Sequence, residues 1–153
     1  MKNRCGYNTK HQKKNNAVLI SLGSNFYASR RIEKAVRLLR TMFSDIRFSS
    51  PICSAAVDSP SGCPAFVNRL AVISTDKAED DCRDIFKGIE QDCGRLKYPK
   101  TDYRVSIDID LLVWNTEIRK ESDMLRPYVC SGIVELNYEL PGLLGEDTNR
   151  FRR

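Results

Sequence analysis

Two aspartates set two apart in an apolar run carry the strongest chemical signal in this chain. The segment is Val105-Ser106-Ile107-Asp108-Ile109-Asp110-Leu111-Leu112-Val113-Trp114. Apolar and polar residues alternate through it, the pattern of a strand with one buried face. Alternate side chains of a strand share a face. Val105, Ile107, Ile109, Leu111 and Val113 are therefore expected in the core, with Ser106, Asp108 and Asp110 opposite. The two carboxylates then stand about 7 Å apart along the strand. Aspartate is a poor strand former, and two carboxylates at one site repel unless a cation or proton intervenes. Hard oxygen donors in that number suit magnesium, which takes one or two carboxylates together with phosphate oxygens. A magnesium–nucleotide platform is one reading; a solvated sheet face bearing two aspartates is the other.

Three further segments bear on the choice. Ser21-Leu22-Gly23-Ser24-Asn25 turns directly out of an apolar run. Phe66 and Asn68 lie two apart, hence on one strand face, where a ring and an amide can hold a flat heteroaromatic ligand by stacking and hydrogen bonds. A core Phe beside a turn-facing Asn is the simpler alternative. Ile89-Glu90-Gln91-Asp92-Cys93-Gly94-Arg95 ends a helix with a cation just beyond, placed either for the helix dipole or for a phosphate.

The elements that must position these residues follow from periodicity. Residues 17–22 are a short buried strand ending at Gly23. Residues 29–43 are a helix, with Ile32, Ala35, Val36, Leu39, Met42 and Phe43 on its apolar side and Arg30, Arg31, Lys34, Arg37 and Arg40 mostly on the other. Residues 45–50 alternate through Ile46 and Phe48 and stop at Pro51. Residues 51–64, with Pro51, Pro60, Gly62 and Pro64, have loop chemistry. Residues 66–73 form a third strand. Asp76 with Glu79 resembles a capping box for a helix that runs to Cys93 and ends at Gly94. The strand of residues 105–114 follows. The order strand-helix-strand-strand-helix-strand predicts an α+β, ferredoxin-like sandwich, an antiparallel sheet with helices packed on one face.

Composition fits one domain. The chain has 153 residues, 41% hydrophobic and 29% charged, which excludes a disordered protein. No apolar run is long enough to span a bilayer, and the N-terminal segment lacks a signal peptide's apolar core. Residues 1–16 are expected to be a flexible basic leader and residues 17–153 a single domain. Lysine and arginine total 25 against 20 acidic residues, a net charge of +5, which favours an anionic partner without choosing one. Six cysteines show no Cys-x-x-Cys spacing and the single histidine is His11, so neither a zinc site nor a disulfide framework is expected. Cys82 and Cys93 share a helix face and are expected to pack as small hydrophobes. A reducing cytoplasm is the expected location.

In this order, Leu22-Gly23-Ser24-Asn25, Phe66-Val67-Asn68, Ile89-Glu90 with Gly94-Arg95, and above all Asp108-Ile109-Asp110-Leu111-Leu112 resemble the 6-hydroxymethyl-7,8-dihydropterin pyrophosphokinase family of the folate pathway. The resemblance covers roughly residues 17–114. It implies the ferredoxin-like fold, ATP as co-substrate with two magnesium ions, and transfer of a pyrophosphoryl group to the pterin's hydroxymethyl oxygen with release of AMP. It implies that Asp108 and Asp110 hold the metals, that Phe66 stacks on the pterin and that Asn68 reads its edge. The loop from Ala55 to Asp58 completes pterin recognition. Glu90 and Leu111 fall on the nucleotide side. Arg95, with Lys97 and Lys100, meets phosphates, and Arg95 and Arg104 join the two aspartates in catalysis. A monomer binding two small molecules, with neither membrane nor nucleic-acid partner, is what the resemblance implies.

The chain departs from the family pattern in two places. The family usually carries Trp-Gly-Pro-Arg ahead of its first metal aspartate; here the run is Thr101-Asp102-Tyr103-Arg104-Val105-Ser106. The arginine comes one place early, and in a regular strand that slip turns it to the opposite face. Arg104 can replace the usual arginine only where the backbone bulges or is loop-like. Further on, the family's Pro-His segment corresponds to Pro127-Tyr128, with Gly132 in place of an arginine and Val134 in place of a second stacking aromatic. Tyr128 and Tyr138 are the candidates to refill that aromatic position. A catalytically weak or inactive relative that binds nucleotide or pterin without turnover is the alternative reading. An RNA-binding sheet is a third, opposed by the lack of clustered strand aromatics.

Overall fold

The computed structural model describes residues 14–55, 65–94 and 103–140. The first strand, β1 (Asn16–Ser24), is apolar on both faces and becomes the centre of the sheet. It leads to α1 (Ala28–Met42), then β2 (Asp45–Phe48), β3 (Ile52–Ser54), β4 (Phe66–Thr75), α2 (Glu79–Asp92), β5 (Asp108–Trp114), β6 (Glu117–Ile118), α3 (Glu121–Met124) and α4 (Pro127–Glu135). The sheet runs β2-β4-β1-β5-β6, with β3 also on β4, and every pairing is antiparallel. The expected βαββαβ frame is thus present, extended by β3, β6, α3 and α4. Residues 1–13, most of the expected leader, lie outside the described residues; Asn16 already belongs to β1, its side-chain Nδ2 donating to the Lys77 carbonyl at 2.8 Å.

One face of the sheet carries Val18, Ile20, Leu22, Ala71, Ile73, Ile107, Ile109 and Leu111 against the apolar stripes of α1 and α2. Ile32, Ala35, Val36 and Leu39 of α1 meet Cys82, Phe86 and Ile89 of α2 there, and each fully buried aliphatic side chain is worth about 1.5–3 kcal/mol. Cys82 and Cys93 are buried as expected; burial pushes the Cys82 thiol up to about 11. The opposite face is not left to solvent. Leu19, Leu70, Leu112 and Val113 pack there with Val129 and Leu136 from and beside α4. The two helices of the expected frame share one face, and α4, beyond that frame, covers the other.

The expected alternation of β5 also breaks. Leu19 pairs with Val113 but Ile20 pairs with Leu111, so Leu112 is the extra residue of a bulge. A bulge turns the following side chains over. Val113 accordingly joins the α4 side, whereas Trp114 packs toward α1 and α2. The strand begins at Asp108, and residues 103–107 are irregular. The expected capping box does not form. Lys77 donates its amide to Thr75 Oγ1 in a turn, and α2 starts after Ala78, its first turn favoured by Glu79, Asp80 and Asp81 near the positive end of the dipole. Gly94, at φ +86°, ends that helix in the left-handed conformation.

Candidate active site

Between the irregular ends of the strands and α3–α4 lies a cavity of about 200 Å³. Three central strands supply its floor. Gly23 of β1 pairs with Asn68 of β4 on one side and with Asp108 of β5 on the other. One row further in, Ser21 pairs with Leu70 and Asp110. Asn68 and Asp108 thus stand two strands apart, about 10 Å, with a glycine between them. A Cβ on Gly23 would meet Asn68 Oδ1 at 3.2 Å and a Phe66 ring carbon at 3.7 Å. The missing side chain is what opens the floor.

On the β4 side, Phe66, Asn68, Ser54 and Ala55 line the cavity. Asn68 is buried, and its side-chain nitrogen donates to Ser54 Oγ, which fixes the amide with its oxygen toward Gly23. A ring and an oriented amide on one wall can stack on, and hydrogen-bond to, a flat heteroaromatic ligand. Strand β3, which sequence periodicity places in a loop, supplies that fixing hydroxyl.

Asp108 and Asp110 form the wall across the floor. Burial lifts the Asp110 carboxyl above its ordinary range, opposed by the hydrogen bond from Lys120 and reinforced by the Asp108 charge. Lys120 Nζ donates to Asp110 Oδ1 at 2.6 Å. Lys120 carried no signal in the sequence; only the β5–β6 hairpin returns it to the site. Among the described residues no cluster of three acidic, histidine or cysteine side chains can hold a metal alone. Two carboxylates on one face nonetheless match the part of a magnesium sphere that protein supplies when phosphate and water supply the rest, so these residues fit the ion.

The segment leading into Asp108 is held by the Gly-Ser-Asn turn. Asn25 takes the Val105 amide on Oδ1, donates through Nδ2 to the Tyr103 carbonyl at 2.7 Å, and donates its own amide to the Val105 carbonyl at 3.0 Å. Ser24 Oγ donates to the Ser106 carbonyl at 2.6 Å. The irregular backbone here satisfies the condition set for Arg104. Its guanidinium lies 4.9 Å from the Phe26 ring centre, and Arg31 lies 5.4 Å from the same ring, favourable cation–π distances. Arg104 is outside the cavity walls.

The remaining wall comes from α3 and α4. Asp123, Arg126 and Tyr128 face the cavity, and Arg126 Nε donates to Asp123 Oδ1 at 3.1 Å. Burial first, and Asp123 next, raise the Tyr128 phenol, which Ser21 hydrogen-bonds. Tyr138 instead packs in the α4-side core. Gly132 is buried where α4 crosses Leu70, and a Cβ there would meet Leu70 Cδ1 at 2.5 Å. Val134 is 80% exposed. Arg126 and Tyr128, not positions 132 and 134, therefore offer the cavity a cation and an aromatic.

Other expected residues fall elsewhere. Glu90 is buried, and its Oε1 accepts the Ile109 amide at 2.8 Å. The Leu111 side chain is in the α1–α2 core. Asp58, Arg95, Lys97 and Lys100 lie outside the described residues. No helix of the described residues is long and apolar enough to cross a membrane.

The profile of the 7,8-dihydro-6-hydroxymethylpterin-pyrophosphokinase family matches residues 19–138. That span holds the whole cavity and most of the chain, and the chain belongs to this family. A search of curated proteins returned no match.

Proposed function

We propose that this member of the pyrophosphokinase family transfers the pyrophosphoryl group of ATP to the hydroxymethyl oxygen of 6-hydroxymethyl-7,8-dihydropterin, releasing AMP in folate biosynthesis. The observation that carries this reading is the facing of two walls across Gly23: Phe66 and Asn68 on one, Asp108 and Asp110 on the other. The first wall takes the pterin, Phe66 by stacking and Asn68 by its oriented amide, with Ala55 beside them; Asp58 is assigned to the same recognition. On the second wall, Asp108 and Asp110 would hold the two magnesium ions that accompany the triphosphate, and such ions would supply charge neutralisation on the transferred group and the departing AMP.

The chain's own groups have positioning and charge to supply, which is most of what phosphoryl-type transfer requires. Arg126 and Tyr128 line the cavity that the two walls share. Arg95, Lys97, Lys100 and Arg104 are assigned to the phosphates, and Glu90 to the nucleotide side through its hold on the Ile109 backbone; the Leu111 side chain, in the α1–α2 core, offers the nucleotide nothing. We read the protein as a cytoplasmic monomer acting on two small molecules, as the family resemblance implies; among the described residues Cys53, Cys82, Cys93 and Cys130 are free thiols.

The test mixes purified protein, ATP, magnesium and hydroxymethyl-dihydropterin and follows AMP. Pterin-dependent AMP release, lost in Asp108→Ala and Asp110→Ala, is the expected result. A second reading, a relative that binds without turnover, is favoured by the Lys120 contact to Asp110. It predicts pterin and ATP binding with no AMP formed.

A further inference from the structure

Lys120 lies ten residues beyond Asp110, after the β6 hairpin, and returns its ammonium to Asp110 Oδ1 at 2.6 Å. Its base is anchored. The neighbouring Arg119 is clamped by Glu79 through Nε at 2.8 Å and Nη2 at 3.1 Å, and it also meets Glu117. Burial works against the Lys120 ammonium, but Asp110, Asp123 and Asp108 together outweigh it. Asp123 in turn holds Arg126. From Asp110 outward the charges alternate: Asp110, Lys120, Asp123, Arg126.

An ammonium on one of two carboxylates leaves a divalent ion poorly served. Two carboxylates without a third ligand group among the described residues make a weak magnesium site, and Lys120 takes one oxygen from it. A triphosphate changes both sides of that balance. Its oxygens complete the metal's sphere, and they offer the flexible ammonium another anion. Resting on the reading of Asp108 and Asp110 as metal ligands, we infer that Lys120 is a resident counter-cation of Asp110. It competes with divalent ions in the nucleotide-free enzyme and yields the carboxylate when metal arrives with nucleotide. Metal and ATP are then coupled in loading.

The experiment titrates Mn²⁺ into the full-length protein at low ionic strength, counting free ion by electron paramagnetic resonance. Wild type, Lys120→Met, Lys120→Arg and Asp110→Asn are compared, each with and without a non-hydrolysable ATP analogue. Without nucleotide, Lys120→Met is expected to bind Mn²⁺ about fivefold tighter than wild type, the size of a half-exposed ion pair. Lys120→Arg should stay near wild type, and the analogue should shrink the gap. Equal or weaker binding by Lys120→Met overturns the inference, as does an arginine variant that behaves like the methionine one. Lys120→Gln repeats the measurement should the methionine variant fail to fold. If Asp110→Asn binds Mn²⁺ with the analogue as well as wild type does, the metal-ligand reading itself falls, a separate outcome.

Discussion

Glu90 and Ile109 are joined side chain to backbone at the one residue that separates the two carboxylates of β5. The Glu90 Oε1 accepts the Ile109 amide at 2.8 Å, from a helix position that is only 8% exposed. Replacing it with alanine leaves a buried N–H without this acceptor, at a cost of about 1–3 kcal/mol. Glu90→Ala should therefore lower the urea midpoint and loosen the spacing of Asp108 and Asp110. Glu90→Gln keeps an acceptor oxygen and should recover most of the midpoint. An alanine variant with an unchanged midpoint would show that the bond contributes nothing.

Asn25 ties the approach to the site. Its side chain serves both the Val105 amide and the Tyr103 carbonyl, and it is buried. Asn25→Ala removes both bonds and is expected to cost about 2 kcal/mol. Because the bonded segment leads into Asp108, turnover should fall further than pterin binding does. Denaturation midpoints and steady-state kinetics of the same preparation check both halves. Intact turnover in a destabilised variant would mean that the segment needs no such tie.

Gly23 separates stability from binding. Its backbone pairs regularly with Asn68 and Asp108, so a methyl group there does not break the ladder. It does press on Asn68 Oδ1 at 3.2 Å and fill the floor beneath Phe66. Gly23→Ala should cost the fold about 1 kcal/mol while weakening pterin binding at least as much. Fluorescence titration with the pterin measures the binding, and undiminished affinity would remove the glycine from the pterin site.

The frame and its two carboxylates were readable in the sequence because they rest on local periodicity. The strand of residues 17–22 is buried from Val18 to Leu22 as expected, and the stripe of α1 from Ile32 to Leu39 and Ile107, Ile109 and Leu111 keep their expected faces. What escaped rests on partners distant in sequence. Three residues of β3 amid prolines show no period, yet β4 recruits them. The bulge at Leu112 is set by how β1 meets β5. Asp76 has the composition of a cap, but the chain is still turning out of β4 there. Gly-Ser-Asn showed itself as a turn and not as a clamp, since its targets lie some eighty residues on. Lys120 reaches Asp110, and Arg126 and Tyr128 reach the cavity, only through the fold of the C-terminal segment. Their polarity was visible; their destination was not.

The Glu79–Arg119 fork should make the hairpin's anchoring depend on acid. The hydrogen bond from Arg119 holds the Glu79 carboxyl below its ordinary value of 4.5. A carboxyl depressed in the folded state stabilises above its unfolded pKa, and that contribution is lost as pH falls through the folded value. Arg119→Gln should lower the melting temperature slightly at pH 7, as suits a solvent-screened pair. The difference from wild type should shrink as pH falls below 4.5. Thermal melts across that range check it, and a constant difference would place the effect outside this ion pair.

Gly132 and Arg126 decide where the cavity's lost cation can be restored. Putting arginine back at position 132 looks like a repair, but a Cβ there would meet Leu70 Cδ1 at 2.5 Å and Cγ at 2.7 Å, and Leu70 is itself buried. The side chain would have to part α4 from β4 before it reached any ligand. Overpacking of this kind costs about 1–3 kcal/mol. Gly132→Arg is therefore expected to lower the melting temperature with no gain in AMP release. Arg126 already faces the cavity from the start of α4, within reach of Asp123. Arg126→Ala should lower kcat by about tenfold or more, a fraction of what a full arginine finger contributes, and leave the melting temperature nearly unchanged. If Gly132→Arg instead raised turnover while Arg126→Ala did nothing, the α4 wall would be assigned to the wrong residue.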